Sequence, residues 1–241
     1  MRKSGINVPG KIILVILIFG IAGCGSGNSP LDSLKEQLSN VPTYSIILED
    51  MKEDGSIFTH YFHKYKIAQL EKSWVTGWEE VSESFYRQNE NFLGMTLAAK
   101  KDGTQSNQVG PPGYNFVGDS NYGQWRTDSN GSSFWEFYGK YRMFTDVLGF
   151  FTGPIYRHDY NDYHSYRSQR RPFFGRNNQY GTRGSYTQKH NPTFFERRKT
   201  RTLNKQSSFS SKVSKRFGGS GSSRIGRTRT GFRSRSMGRG K

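Results

Sequence analysis

Charge is sorted along this chain, and the sorting limits what can fold. Residues 24–153 hold 11 Lys/Arg and 16 Asp/Glu, a net of −5, whereas residues 154–241 hold 22 Lys/Arg and 3 Asp/Glu, a net of +19. A sign change this large near Pro154 predicts a boundary between a folded acidic part and a basic tail. Hydropathy points the same way. Apolar residues make up 32% of the sequence and the mean hydropathy is −0.81, so much of the chain cannot enter a packed core. Together these figures argue against a large soluble enzyme and against a multi-pass membrane protein.

The first residues look like an export signal. Arg2, Lys3 and Lys11 precede an apolar run from Ile12 to Phe19, which ends in Gly20-Ile21-Ala22-Gly23-Cys24. A basic start, a short apolar stretch and small residues form the layout of a secretory signal. From Ile12 to Gly23 is 12 residues. As a helix that is about 18 Å, short of the ~30 Å of a bilayer core.

Ile21-Ala22-Gly23-Cys24 resembles the lipobox of bacterial lipoproteins. The resemblance implies that the Cys24 thiol is acylated and that a signal peptidase recognises Ile21, Ala22 and Gly23 and cuts before Cys24. It further implies a cell-envelope protein whose acyl chains make the membrane its first partner. Each buried methylene contributes about 0.8 kcal/mol to such an anchor. Gly25, standing where Asp would signal inner-membrane retention, resembles the outer-membrane sorting signal, facing the periplasm in a host with two membranes. Cys24 is the sole cysteine, so neither a disulfide framework nor a multi-thiolate metal site can form within the chain.

Residues 24–153 read as a small α+β domain: an antiparallel sheet with two to three helices. Ser29 is a cap candidate, Pro30 suits the first helical position, and Leu31, Leu34 and Leu38 form one stripe. Tyr44 to Met51 suits a strand, Lys52-Glu53-Asp54-Gly55 a turn, and Ser56 to Gln69 the returning strand. Thr76-Gly77-Trp78-Glu79 has capping-box spacing ahead of a helix over 79–93 that Gly94 would end. Met95 to Lys100 suits a third strand. A Gly-, Pro- and aromatic-rich loop follows, from Gly110 to Trp125. Ser133-Phe134-Trp135-Glu136 is a second capping box. Phe134, Phe137, Tyr138, Tyr141, Phe144, Leu148 and Phe151 then recur every three or four residues, which predicts an amphipathic helix ending near Gly153-Pro154.

From about residue 155 aliphatic residues nearly vanish, and residues 154–241 read as a long disordered basic tail, with short helical turns allowed near Pro192–Thr202. Thirteen aromatics stand among its 88 residues, interleaved with arginines. Guanidinium groups bind phosphates and carboxylates, and aromatic rings stack on bases or sugars. Arg167, Arg170, Arg171, Arg197, Arg198, Arg224, Arg227, Arg229, Arg233 and Arg235 are therefore candidate polyanion-binding residues. For an exported tail the available polyanions are lipid headgroups, anionic envelope polymers and extracellular DNA; cellular nucleic acid is not expected.

No catalytic constellation is legible. His60 and His63 stand three apart on an expected strand and point to opposite faces. The stretch from His158 to His164 could hold a labile divalent ion, though a solvated segment is the simpler expectation. Gly218-Gly219-Ser220-Gly221 lacks the Lys-Ser/Thr ending of a phosphate loop. No cofactor, metal or enzymatic activity is expected. The expected role is binding or structural, with the basic tail on anionic envelope polymers or lipid headgroups. An alternative is docking of a membrane protein partner by the acidic domain through Tyr114, Phe116, Tyr122 and Trp125.

Overall fold

The computed structural model describes residues 29–55, 57–141, 143 and 154–217. The chain divides into two compact units, Met1–Val41 and Pro42–Lys241. In the first lies α1 (Pro30–Gln37). Ser29 caps it by accepting from the Asp32 amide at 3.2 Å, and Lys35 holds the Asp32 carboxylate at 2.7 Å. That lysine, followed by the Ser29 hydroxyl, pulls the Asp32 pKa down.

The second unit is α+β with antiparallel sheets. β1 (Tyr44–Asp54) and β2 (His60–Gln69) form the central hairpin. On β2's outer edge sit two short strands, β3 (Ser73–Val75) and β4 (Glu79–Val81), each paired to a different stretch of β2. On the far side of β1 come β5 (Thr96–Lys101) and β6 (Thr104–Ser106). One face of the hairpin carries Ile46, Leu48, Met51, Tyr61, His63, Tyr65 and Ile67, all buried. It is covered by α2 (Glu83–Asn89), whose Tyr86 ring packs 4.9 Å from Tyr61 and 5.4 Å from His63. The opposite face contributes Ile47 and Ala68 to a cluster with Phe116, Tyr122 and Met143.

A second sheet is built from β7 (Gly123–Thr127), β8 (Ser133–Phe137) and β9 (Ile155–Tyr156), in that order. Then follow α3 (Arg157–Ser168), α4 (Ser185–His190) and α5 (Pro192–Phe217). Tyr114, Val117, Trp135, Ile155, Tyr163 and Phe173 make the core between this sheet and α3.

Three expectations are corrected. The segment expected to open a long helix at Ser133 is β8, in register with β7 through Trp125 opposite Trp135. Aromatic residues favour a pleated, half-buried surface, and Gly139-Lys140 forms a turn after the strand. The remainder of that expected helix, 144–153, lies outside the described residues. Thr76 does not cap a helix: its hydroxyl accepts from the Tyr65 amide at 3.0 Å, Glu79–Val81 pairs with β2, and Ser82 caps α2 instead.

The third correction is the largest. Pro154 is no boundary between fold and disorder, because residues 155–217 add a strand and three helices, and Tyr163, Phe173, Tyr180 and Phe194 are buried. Aromatic burial there replaces the missing aliphatics, at roughly 1.5–3 kcal/mol for a phenylalanine. The segment is also keyed into the rest by Thr182. Its hydroxyl donates to the Glu90 carbonyl at 2.5 Å and accepts from the Leu93 amide at 3.2 Å. Residues 218–241, the remainder of the expected tail, lie outside the described residues.

Candidate functional site

Beyond Leu48 the β5 side of β1 has no strand partner, since the pairing register with β5 ends at Ile47 opposite Thr96. Free strand edges are sticky and are commonly covered by another element. Here the start of α5 does the covering. Asn191 Nδ2 donates to the Glu49 carbonyl at 2.9 Å, and Arg201 Nη1 donates to the Glu53 carbonyl at 3.0 Å. Arg197 Nη2 reaches both oxygens of Asp50, at 2.6 and 2.7 Å, and Arg201 Nε lies 3.2 Å from the Glu53 carboxylate. Arg197, Arg201 and Lys205 follow one another at four-residue spacing, so three successive turns of α5 present a cation to β1.

Between α5, α2 and the end of β1 runs an open groove of about 1070 Å³, whose lining includes Met51, Tyr86, Arg87, Phe194, Arg198 and Lys205. Burial, followed by the Glu53 charge, pushes the Tyr86 hydroxyl up to about 12, so it stays protonated and is a donor rather than a base. Beside the groove a second basic cluster surrounds Trp78. Lys52, Lys64 and Arg197 lie 4.9, 5.1 and 5.6 Å from its ring centroids. A cation over an aromatic face is held by the negative face of the ring.

The sequence-derived arginines fall in two places. Arg197 and Arg198 stand in the second turn of α5. Arg167, Arg170 and Arg171 gather at the C-terminal end of α3, where helix carbonyls favour positive charge. Arg171 stacks 5.2 Å over Tyr166, and Arg167 lies 3.5 Å from the Tyr163 hydroxyl. Arg224, Arg227, Arg229, Arg233 and Arg235 lie outside those residues, as do Cys24 and Ile21, Ala22 and Gly23. Sequence reasoning passed over Arg201 and Lys205, although their spacing from Arg197 is a helical signal.

The aromatic docking loop is corrected. Tyr114, Phe116 and Tyr122 are 3%, 0% and 2% exposed, so none can meet a partner. Tyr122 donates to Asp102 at 2.6 Å and packs on Phe116, while half-buried Trp125 is capped by Arg157 at 3.9 Å. These residues hold the two sheets together.

The histidines are placed apart. His60 sits 2.7 Å from Glu80 at the exposed start of β2. His63 is fully buried, its Nδ1 is 3.1 Å from the Tyr65 hydroxyl, and its Nε2 has no partner. Burial drives its pKa down to about 4, which leaves it neutral. His158 lies 3.1 Å from Asp159 at the start of α3. Among the described residues no group of three or more His, Cys, Asp or Glu is placed to hold a metal ion, and no helix is long and apolar enough to cross a membrane. Comparison with family models, with curated proteins and with solved structures finds no match.

Proposed function

We propose that this chain is a lipid-anchored protein of the bacterial cell envelope. Its role is binding rather than catalysis, and its basic C-terminal part holds anionic envelope polymers or lipid headgroups. The observation that carries the reading is the disposition of charge on α5. That helix holds eight Lys/Arg against one Glu, and every residue from Thr202 to Arg216 is exposed. Arg197, Arg201 and Lys205 are engaged with Asp50 and Glu53, which leaves Lys212, Lys215 and Arg216 facing solvent. The lipobox-like run ending at Cys24 supports placement at a membrane, where such cations each contribute about 1 kcal/mol near an anionic surface.

Mass spectrometry of the N-terminus, after fractionation of cells expressing wild type and Cys24→Ala, tests this. A di- or triacylated Cys24 in the membrane fraction, lost in the variant, is the expected result. An unprocessed chain in the cytosol would overturn the anchoring and return the arginine–aromatic segments to the nucleic-acid class.

A further inference from the structure

We infer that the turn between β1 and β2, together with the outer half of α5, forms a docking surface for an anionic lipid bilayer, with Ile57 and Phe58 entering the headgroup–acyl boundary. The inference rests on the lipid-anchored reading and narrows its polyanion to the membrane itself.

Ile57 and Phe58 are 86% and 78% exposed, the most exposed large apolar side chains among the described residues. Two adjacent bulky hydrophobes at a turn tip gain nothing from water. The backbone presents them by design of the turn. Gly55 holds φ +90°, and a Cβ there would overlap the Phe58 carbonyl, so the chain can double back only with glycine at that place. The tip is fastened to α5 by Arg201, which donates to the Gly55 carbonyl at 3.4 Å as well as to Glu53.

From that fastening α5 continues with all side chains exposed through Arg216. At about 100° per residue, Leu203, Phe209 and Val213 fall within an arc of about 120°. Lys205, Lys212, Lys215 and Arg216 fall within a separate arc of about 100°. No acidic residue stands between Leu203 and Arg216. Gln206 and Ser210 share the first arc and Ser208 the second; an arc carrying the large apolar side chains beside one whose charges are all positive is the pattern of a helix that lies in a membrane interface. A soluble polyanion would match the lysines but leave Ile57, Phe58, Phe209 and Val213 in water; an anionic bilayer satisfies both. One acyl anchor plus a basic patch is also the combination that makes membrane attachment durable.

A polarity-sensitive nitrobenzoxadiazole label on the full chain, carried by Phe58→Cys with Cys24→Ala so that it sits on the only thiol, reads the insertion directly. Its emission should rise several-fold with phosphatidylglycerol vesicles and stay flat with phosphatidylcholine. The same label on Asn130→Cys, at the exposed turn after β7, should not respond. Combining Lys212→Gln, Lys215→Gln and Arg216→Gln should raise the lipid concentration needed for half the response about a hundredfold at low salt, about fivefold per charge. A flat signal at position 58 while the chain sediments with the vesicles overturns the inference. So does an equal rise on both lipids, a rise with soluble polyphosphate instead, or a rise with protein concentration alone, which would mean a second copy. If Cys24 is acylated in cells and the label stays flat, the inference falls and the anchoring stands. If Cys24 is unacylated and the chain cytosolic, the anchoring reading falls first.

Discussion

The Tyr163 hydroxyl donates to Asn115 Oδ1 at 2.5 Å, and both residues are buried. The bond ties α3 to the loop that precedes β7 across 48 residues. Tyr163→Phe keeps the ring and strands a buried acceptor, which costs about 1–3 kcal/mol. Tyr163→Ala also empties core volume and should cost about 3–5 kcal/mol. Urea unfolding followed by tryptophan emission measures both. Equal stability in all three proteins would show that residues 157–168 are not part of the cooperative core.

Acid should find its weak point at His63. The unfolded imidazole titrates near 6.5, and burial lowers the folded value to about 4. The unfolded chain therefore takes up the proton first. Stability is complete above about pH 6.5 and falls towards pH 4, with a slope approaching 1.4 kcal/mol per pH unit and about 3 kcal/mol lost in all. His63→Phe, which retains a ring against Phe85 and Tyr86, should flatten this part of the profile. Denaturation midpoints at about pH 7 and pH 5 decide it; parallel losses in the two proteins would place the acid sensitivity elsewhere.

Gly181 should tolerate no side chain. Its φ is +77°, and an added Cβ would sit 2.6 Å from the Asn91 carbonyl and 2.8 Å from the Phe174 ring. Left-handed backbone costs about 1–2 kcal/mol for any L-residue, and the overlap with main chain adds to that. Gly181→Ala should therefore lower stability by at least about 2 kcal/mol in thermal unfolding. Gly131, which also has positive φ but meets nothing within 4 Å, is the control and should show the backbone cost alone.

Legibility followed residue chemistry. The β1–β2 hairpin could be read because two apolar and aromatic runs flank Asp54-Gly55, although Lys52–Asp54, expected in the turn, belong to β1 and β2 starts at His60 rather than Ser56; α1 could be read because Ser29-Pro30 marks its start. β8 was misread because Phe134, Phe137 and Tyr138 satisfy helical spacing while Trp135, the residue that is buried, breaks it. Only pairing with β7 selects the strand. Residues 155–217 were misread for another reason. Their core is tyrosine and phenylalanine scattered among arginines, which hydropathy scores as polar, and it is completed by contacts to Asn115, Glu90 and Glu49 far back in the chain. Of the surface proposed to bind, the excess of arginine was visible in composition; which arginines are consumed by Asp50 and Glu53 was not.

That consumption separates the cations of α5 that hold β1 from those proposed to bind. Arg197 and Arg201 work on β1, with Lys205 adding a 3.6 Å ion pair to Glu53, whereas Gln206 to Arg216 are all exposed. Ending the chain after Lys205 should shift the free energy of unfolding by no more than about 0.5 kcal/mol, the usual range for surface changes. It should also remove the helical signal of the outer turns, because a stretch this short is marginal by itself. Association with phosphatidylglycerol vesicles should fall steeply, with a shallower dependence on salt, since each lost lysine or arginine removes one released counterion's worth of slope. Arg197→Ala with Arg201→Ala in the full-length chain should do the opposite, loosening the β1 edge by about 1–3 kcal/mol while the outer cations remain. If truncation unfolds the protein instead, the outer half of α5 is a structural element, and the division of labour along the helix is wrong.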